Sequence, residues 1–383
     1  MANDSRKPAS GMIYLDYQAT TPLAPEARTA MLPWLEAPEG MGALVESRTQ
    51  ACGWANPHSP HGAGRAAAAA VEVARQQVAM LLPRGGRVVF TGSATEALNL
   101  AIFGCGAKSF AVSPVEHAAV LDTVRAHGGP CHLLPCGSNG VVPEGAAIPA
   151  GTQLVAVMQV NNEIGTIQPV EALARAAHEA GALFLCDAVQ GAGKLLPPAE
   201  ADLIALSAHK LYGPKGIGAL WVRDGVELKP LIHGGGQEQG LRSGTLSPAL
   251  CAGFGAAAAL AVIRIEDDAT HVEQLWHRAR DILKSWKLNG SAIHRWHGNL
   301  SLSREGLDVA RLMSDLRDIA FSAGSACASG SGRPSHVLQA IGLDARTTKS
   351  SVRLGFGRYT TFRELEDACA RLEAAAAAQG VLP

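Results

Sequence analysis

Lys210 is the first candidate for chemistry in this 383-residue sequence. It follows Ser207 and His209 directly after the apolar segment 203–206, and a glycine-rich loop comes next. An amine that is desolvated or placed near other cations loses its proton more easily and becomes a nucleophile that can bond a carbonyl group. Most lysines only solvate a protein surface, so a Schiff-base role for Lys210 needs support from other residues.

Two other polar positions follow apolar segments in the same way. Asp187 comes after segment 183–186, where its carboxylate could pair with a cationic ring nitrogen or simply cap a helix. The small-residue turn 91–95, which ends at Thr95, opens a helical segment whose free N–H groups suit a phosphate, although a plain N-cap explains the turn as well. An anion cradle, a carboxylate and a lysine on one sheet are the parts that a pyridoxal phosphate site requires. Together they predict such a site.

Other polar positions are weaker signals when each is considered alone. His117 follows a predicted strand, and a single histidine is usually a satisfied structural residue. The stretch 161–165, which contains Asn162, could be only a turn. The glycine-containing stretches 191–195 and 253–258 lack either the residues or the position of nucleotide-binding motifs, so a nucleotide site is not predicted.

These residues need a scaffold, and the periodicity of the sequence predicts one. Short apolar segments alternate with helical patterns, which is the arrangement of parallel βαβ units. The predicted strands are 87–90, 109–112, 154–157, 183–186 and 203–206, and the predicted helices include 66–82, 170–180 and 363–378. This order implies an α/β fold with a mostly parallel sheet covered on both faces, where ligands bind beyond the carboxyl ends of the strands.

The sequence changes character after Ile265, to a charged helical segment, short strands and a final helix. We therefore predict a large domain over residues 20–265. Residues 1–19 and 266–383 would form a smaller domain, which carries Cys327.

Composition excludes several classes of protein. With 47% hydrophobic and 17% charged residues, the chain is a compact folded protein rather than a disordered one. Its net charge of -1 gives no long-range attraction for nucleic acid or an anionic membrane. The longest apolar run, residues 249–263, is shorter than the roughly 20 residues that cross a bilayer and is predicted to be a buried helix. Without a secretory signal or CxxC spacing, we expect a cytoplasmic protein with reduced thiols and no metal.

The motifs together resemble those of the cysteine desulfurases in the class V aminotransferase family, on its NifS/IscS-like branch. The resemblance extends from about Tyr14 to Thr361. It implies a pyridoxal-phosphate-dependent transferase of fold type I, with a large, mostly parallel sheet of the seven-stranded type and a smaller α+β domain. It also implies a homodimer in which Thr245 reaches the phosphate of the neighbouring subunit. The matching stretches include Tyr14-Leu-Asp-Tyr-Gln-Ala-Thr-Thr-Pro22, Val160-Asn-Asn-Glu-Ile-Gly165, Ser207-Ala-His-Lys210 and Ser325-Ala-Cys327-Ala-Ser329.

The resemblance implies a role for each matching residue. Lys210 would be the Schiff-base lysine, Asp187 the partner of the pyridine nitrogen, and His117 the ring that stacks on the cofactor. Asn162 and Arg353 would hold the substrate carboxylate. The residues implied to bind the cofactor are Thr95, His117, Asp187, Gln190, Ser207, His209, Lys210 and Thr245.

Cys327 distinguishes desulfurases from ordinary aminotransferases in this resemblance. It lies in the polar, Gly- and Ser-rich segment 324–333, which predicts an exposed thiol. The implied reaction converts L-cysteine to L-alanine: Lys210 removes the Cα proton, His117 shuttles protons, and the Cys327 thiolate takes the sulfur as a persulfide. The sulfur would pass to an acceptor protein for iron–sulfur cluster assembly or another thiolation.

Three features depart from the family pattern. Gly355 replaces a serine, Gln239 replaces an arginine, and the chain ends without the longer tail of the housekeeping IscS-type enzymes. Two alternatives stay open at this point. One is a selenocysteine lyase or another class V aminotransferase-fold enzyme, which should not need Cys327 in the same way. The other is a non-catalytic docking subunit for sulfur transfer, against which the complete catalytic set argues.

Overall fold

The structure is a computed structural model, and it describes residues 11–35, 54–324 and 334–381. Its helices are α1 Pro25–Met31, α2 Gly62–Ala79, α3 Ala94–Gly104, α4 Ala118–His127, α5 Val170–Glu179, α6 Pro248–Ile282, α7 Val309–Asp315, α8 His336–Ala340, α9 Ala345–Lys349 and α10 Phe362–Ala378. Its strands are β1 Ile13–Tyr14, β2 Gly86–Thr91, β3 Phe110–Val112, β4 Cys131–Leu133, β5 Leu154–Ala156, β6 Leu183–Asp187, β7 Leu203–Ser207, β8 Gly218–Arg223, β9 Lys287–Leu288, β10 Asn299–Ser303, β11 Ile319–Ala320, β12 Ser322–Ala323 and β13 Ser351–Gly355.

A seven-stranded sheet in the order β2-β8-β7-β6-β5-β3-β4 forms the centre of the fold. The neighbours from β7 to β4 pair in parallel, whereas β8 runs antiparallel to both β2 and β7. The predicted α/β class with a large, mostly parallel sheet is confirmed. Strands β4 and β8 were not predicted. In the case of β8, the glycines in front of the strand suggested only a loop.

The large sheet is covered on both faces, as the sequence predicted. Successive side chains of a strand point to opposite faces. Along β2, Val88 and Phe90 pack into a cluster with residues of α2 and α6, whereas Val89 packs into a second cluster with residues of α3. Each fully buried side chain of this kind contributes about 1.5–3 kcal/mol to folding. The apolar segments therefore form a sheet that is buried on both faces.

Helix α6 runs without interruption through Ile265, although the sequence predicted a change there. Its first half is apolar and packs into the core through Cys251, Phe254 and Ala257, as expected for a buried helix. Its second half contributes Val272 and Leu275 to a different core. By length and composition alone, α6 could cross a bilayer, but the burial of these side chains identifies it as a core helix in this fold.

The core that contains Val272 and Leu275 surrounds a four-stranded antiparallel sheet in the order β12-β13-β10-β9. Leu15, which follows β1, lies in this core, and β1 pairs in parallel with β11. The N-terminal strand thus packs with the C-terminal part of the chain. The division into domains at residues 19 and 265 stays a prediction, because α6 belongs to both cores.

Candidate active site

A cavity lies at the carboxyl ends of the central strands, the place where ligands bind in open α/β sheets. The strands end there because polar residues and tight turns follow each apolar segment. The cavity brings together most of the predicted site residues: Thr95, His117, Asn162, Asp187, Gln190, Ser207, His209 and Lys210.

Asp187 is the last residue of β6 and is buried. Its Oδ1 atom accepts a hydrogen bond of 2.9 Å from the N–H of Val189, which fixes the carboxylate. Burial raises the pKa of Asp187, and the charges of His117 and Lys210 oppose that shift. A carboxylate in this position is stabilised by a cation, and a protonated ring nitrogen supplies one.

Lys210 ends a short 3₁₀ turn that follows β7 directly. Its Nζ atom donates hydrogen bonds to two backbone carbonyl oxygens, at 2.5 Å from Gln18 O and 2.8 Å from Ala19 O. The N-terminal segment 16–19 therefore forms one side of the lysine's environment. No local sequence pattern indicates this contact, because the partners are 192 and 191 residues apart.

His209 lies one residue before Lys210 and bonds Thr20 Oγ1 through Nδ1 at 3.1 Å. Burial lowers the pKa of His209 to about 4, and the charges of Lys210 and Lys215 act in the same direction. The imidazole is therefore neutral near pH 7. A neutral ring can still donate one N–H to an anion such as a phosphate.

His117 caps the N-terminus of α4, and its Nδ1 atom accepts a hydrogen bond of 3.0 Å from the N–H of Ala119. Because Nδ1 is an acceptor here, the neutral ring carries its proton on Nε2. His117 is exposed and lines the cavity. It is therefore equipped to donate a proton from Nε2 into the cavity.

The turn before α3 has the form of an anion site. Ser93 caps the helix by accepting a hydrogen bond of 3.2 Å from the N–H of Glu96, and Thr95 lies in the first turn beside the cavity. Strand β8 approaches this turn so closely that a Cβ on Gly218 would lie 2.5 Å from the backbone carbon of Ser93. Glycine at position 218 thus lets the turn lie against the sheet.

Gln190 has a buried polar atom that needs a partner. Its Nε2 atom donates to Gln18 O at 2.9 Å, whereas its Oε1 atom is buried and lacks a hydrogen bond. A buried acceptor without a donor costs about 1–3 kcal/mol, so a bound group that satisfies it is stabilised. With the carboxylate of Asp187, the amine of Lys210 and the turn at Thr95, this set of groups fits pyridoxal phosphate.

Arg353 lies beside the cavity and contacts Asn162, which lines it. Its guanidinium bonds Asn162 O at 3.1 Å, Asp16 Oδ1 at 2.8 Å and Ser322 Oγ at 2.9 Å. No role was predicted for Asp16, although its ion pair holds the orientation of the predicted substrate-binding arginine. The pairing brings together residues 337 positions apart, so no local pattern indicates it.

Besides Arg353, two predicted site residues are not among the described residues that line the cavity. Thr245 is exposed and does not line it in the single chain. Cys327 lies outside the described residues, which end at 324 and resume at 334. The predicted roles of both residues therefore stay predictions.

Glu116 is a buried acidic residue for which no role was predicted. Its Oε1 atom accepts a hydrogen bond of 2.7 Å from the N–H of Met158, and its Oε2 atom has no hydrogen-bond partner. Burial raises the pKa of Glu116 well above its ordinary value, and the charge of Asp187 acts in the same direction. Its position immediately before His117, after a buried strand, is the signal that could have drawn attention to it.

The pKa of Lys194 provides a test of the electrostatics near the site. Lys194 lines a small cavity with Tyr17, Gln18 and Asp268. Burial, together with the charge of Lys210, lowers the pKa of Lys194 from 10.5 to about 7. Between these two values the unfolded chain binds a proton that the folded chain lacks, so stability rises with pH in this window.

We expect Lys194→Met to remove this dependence. From pH 7.5 to 9, the free energy of unfolding should rise more in the unsubstituted protein than in the variant, by up to about 2 kcal/mol. Urea titrations at the two pH values measure the difference. Lys229→Met, at an exposed lysine, is the matched control. Identical pH trends in Lys194→Met and the unsubstituted protein would show that Lys194 has an ordinary proton affinity.

Comparison with known proteins places this chain among related sequences. Residues 13–367 match the class-V aminotransferase family. The cysteine desulfurase IscS of Rickettsia bellii (strain OSU 85-389) is 41% identical over 377 residues, which cover 92% of this chain and 88% of that protein. A cysteine desulfurase IscS of Shewanella loihica is 40% identical, with coverage of 93% and 90%.

Solved structures agree with the sequence comparison. A NifS-like protein superposes with a TM-score of 0.82 at 30% identity. The superposition covers 96% of this chain and 99% of that protein. The structure of SspA in complex with cysteine gives a TM-score of 0.75 at 32% identity, with coverage of 91% and 99%. Both similarities extend over nearly the whole chain.

Proposed function

The chain belongs to the class-V aminotransferase family, and from this premise we propose that it is a pyridoxal-phosphate-dependent cysteine desulfurase. It converts L-cysteine to L-alanine and transfers the sulfur to an acceptor. The observation that carries this proposal is the cavity in which Asp187 and Lys210 meet, in a chain 41% identical to a cysteine desulfurase. The similarity to cysteine desulfurases over 92% of this chain confirms the predicted enzyme class.

Pyridoxal phosphate, when bound, supplies an electron sink for the negative charge that develops on the substrate Cα. We propose that Asp187 pairs with its ring nitrogen and that Gln190 bonds its phenolic oxygen. Thr95, Ser207 and His209 are proposed to hold its phosphate. The neutral state of His209 supports this role, because a neutral imidazole donates a hydrogen bond without adding charge.

Lys210 is proposed as the base that removes the Cα proton. An amine that takes up this proton becomes an ammonium, and the carbonyl oxygens of Gln18 and Ala19 are within hydrogen-bond distance of Nζ. Carbonyl oxygens stabilise a protonated amine, so these two contacts support the transfer. Lys210 thus both bonds the cofactor and holds the proton in this proposal.

His117 is proposed as the group that donates a proton to the substrate side of the cavity. The N–H of Ala119 occupies Nδ1, so only Nε2 is available for transfer. Lys210 and His117 therefore have different tasks: Lys210 takes a proton and His117 donates one.

Cys327 is proposed as the first sulfur acceptor. Its thiolate attacks the substrate sulfur, an S–S bond forms, and the C–S bond of the substrate breaks with its electron pair remaining on carbon. Protonation of that carbon completes L-alanine, and Cys327 is left as a persulfide. The persulfide sulfur then passes to an acceptor protein.

Substrate binding by Arg353 gives a prediction about KM. We expect Arg353→Lys to raise the KM for L-cysteine about tenfold or more with a smaller change in kcat, because lysine cannot hold a carboxylate with two parallel hydrogen bonds. Steady-state kinetics of alanine release measure both constants. Arg371→Lys, at the exposed ion pair with Asp318, is the matched control. A fall in kcat with an unchanged KM would argue against carboxylate binding by Arg353.

Assembly and location are also part of the proposal. A homodimer, with Thr245 directed to the neighbouring cofactor, would give a role to a residue that is exposed in the single chain. The described cysteines are free thiols, which supports a reducing compartment such as the cytoplasm. We propose neither a nucleic-acid nor a membrane partner, because the net charge of -1 favours neither.

The direct test is release of alanine and sulfide from L-cysteine by the purified protein with a thiol reductant. We expect both products in equal amounts. Pyruvate or transamination products in their place would identify another enzyme of this fold, and a comparison with selenocysteine separates a lyase. A cofactor-bound protein that releases no product with either amino acid would support the docking subunit.

A further inference from the structure

Gly355 is a glycine whose backbone does not require one. Its φ lies outside the left-handed region that favours glycine. A Cβ at this position would nevertheless lie 1.8 Å from Gln18 Oε1, 2.8 Å from Gln18 Cδ and 2.9 Å from the backbone nitrogen of Tyr17. Glycine at position 355 thus leaves open the space that the Gln18 side chain fills beside the backbone of Tyr17.

Gln18 is buried, with 4% of its surface exposed, and it is anchored at its side-chain end. Its Nε2 atom donates a hydrogen bond of 2.8 Å to Gly298 O. The segment around it is also fixed to the end of β13, because Gly355 N donates to Leu15 O at 2.7 Å and Tyr17 N donates to Gly355 O at 3.3 Å. The Gln18 side chain therefore attaches segment 16–19 to the turn before β10, and the backbone hydrogen bonds of Leu15 and Tyr17 attach it to β13, on which Arg353 lies.

The backbone of Gln18 faces the reacting groups. Its carbonyl oxygen accepts hydrogen bonds from Lys210 Nζ at 2.5 Å and from Gln190 Nε2 at 2.9 Å, and the next carbonyl, that of Ala19, also bonds Lys210. One anchored residue thus provides one acceptor of the lysine amine, adjoins a second and accepts a hydrogen bond from the amide of Gln190. A shift of Gln18 would therefore change contacts of both groups.

We propose that Gln18, seated in the space that Gly355 leaves open, is a positioning residue for Lys210. The inference rests on the proposed function of Lys210 and deepens it. Gln18 acts through its backbone carbonyl, which receives the amine of Lys210. Gly355 acts by having no side chain. The departure from the family serine at position 355 is then one half of a matched pair, whose other half is glutamine at position 18.

The test is a double-mutant cycle in the holoenzyme. We expect Gly355→Ala to displace Gln18 and lower kcat about tenfold, with less than a threefold change in KM, because Arg353 keeps its ion pair with Asp16. The dissociation constant of pyridoxal phosphate should rise several-fold, and the pH midpoint of its absorbance change should move. Gln18→Ala, which removes the anchor without adding bulk, should change kcat and the midpoint in the same direction.

The double variant Gln18→Ala with Gly355→Ala is the decisive member of the cycle. Gln18→Ala has already lost the anchor and leaves no long side chain for the added methyl group to displace, so we expect the double variant to keep a kcat within about threefold of that of Gln18→Ala alone. Gly145→Ala, where a Cβ would meet nothing within 4 Å, is the control for glycine replacement.

Two results would overturn the inference. In the first, Gly355→Ala keeps kcat, cofactor affinity and absorbance unchanged, so Gln18 has no positioning role. In the second, the kcat losses of the two single variants multiply in the double variant, so the effect of Gly355→Ala arises within β13 and not through Gln18. If the unsubstituted protein does not release alanine, the proposed function fails instead, while cofactor affinity and absorbance still test the Gln18 pair.

Discussion

Lys210→Ala is expected to reduce alanine release from L-cysteine by at least about 10³-fold, the scale on which a general base and a covalent anchor contribute together. The variant loses the amine that bonds the cofactor and removes the Cα proton. Because Asp187 and His209 still line the cavity, the protein should continue to bind pyridoxal phosphate without a covalent bond. Borohydride treatment followed by mass spectrometry should attach the cofactor to the unsubstituted protein and not to the variant.

Lys229→Ala is the matched control for this experiment, because Lys229 is an exposed lysine of the same half of the chain and does not line the cavity. It should retain full activity and the borohydride adduct. Activity of Lys210→Ala within tenfold of the unsubstituted protein, or an adduct on another lysine, would contradict the assignment of Lys210.

Cys327→Ser is expected to lower both alanine and sulfide release by at least about 100-fold, because a hydroxyl group is a far weaker nucleophile toward sulfur than a thiolate. The cofactor absorbance should stay unchanged, since Cys327 has no proposed role in cofactor binding. Mass spectrometry of the unsubstituted protein after reaction with L-cysteine should find one added sulfur atom on Cys327.

Cys131→Ser is the control for Cys327, because Cys131 is an exposed cysteine and lies on the edge strand β4, away from the cavity lining. It should behave like the unsubstituted protein. Equal activities of Cys327→Ser and the unsubstituted protein would remove Cys327 as the sulfur acceptor. A selenocysteine lyase or an aminotransferase would then be the better identification.

The residues predicted from the sequence share one physical property. Asp187 and Ser207 each end a buried parallel strand, and Lys210 follows Ser207 by one short turn, so local apolar patterns bring all three to one edge of the sheet. The motif resemblance added residues such as Gln190 and Asn162, which also line the cavity. Pattern and motif together therefore predicted residues that the fold brings to one cavity, while their roles there stay predictions.

The contacts that support these residues could not be predicted in this way. Gln18 is anchored to Gly298 across 280 positions, and Asp16 pairs with Arg353 across 337. Neither side chain belongs to a pattern with a helical or strand period, because the position of each is set by packing between distant parts of the chain. Strand β8 was missed for a local reason, since glycines precede it and its partners are antiparallel.

The continuity of α6 has a mechanical consequence for the whole enzyme. Its 35 residues extend for about 50 Å and contribute side chains to both hydrophobic cores. A cut at Ile265 would divide a hydrogen-bonded helix, so neither fragment would keep the helix that completes its core. An exchange between relatives that joins one part of the chain to a foreign second part must therefore preserve the register of this helix.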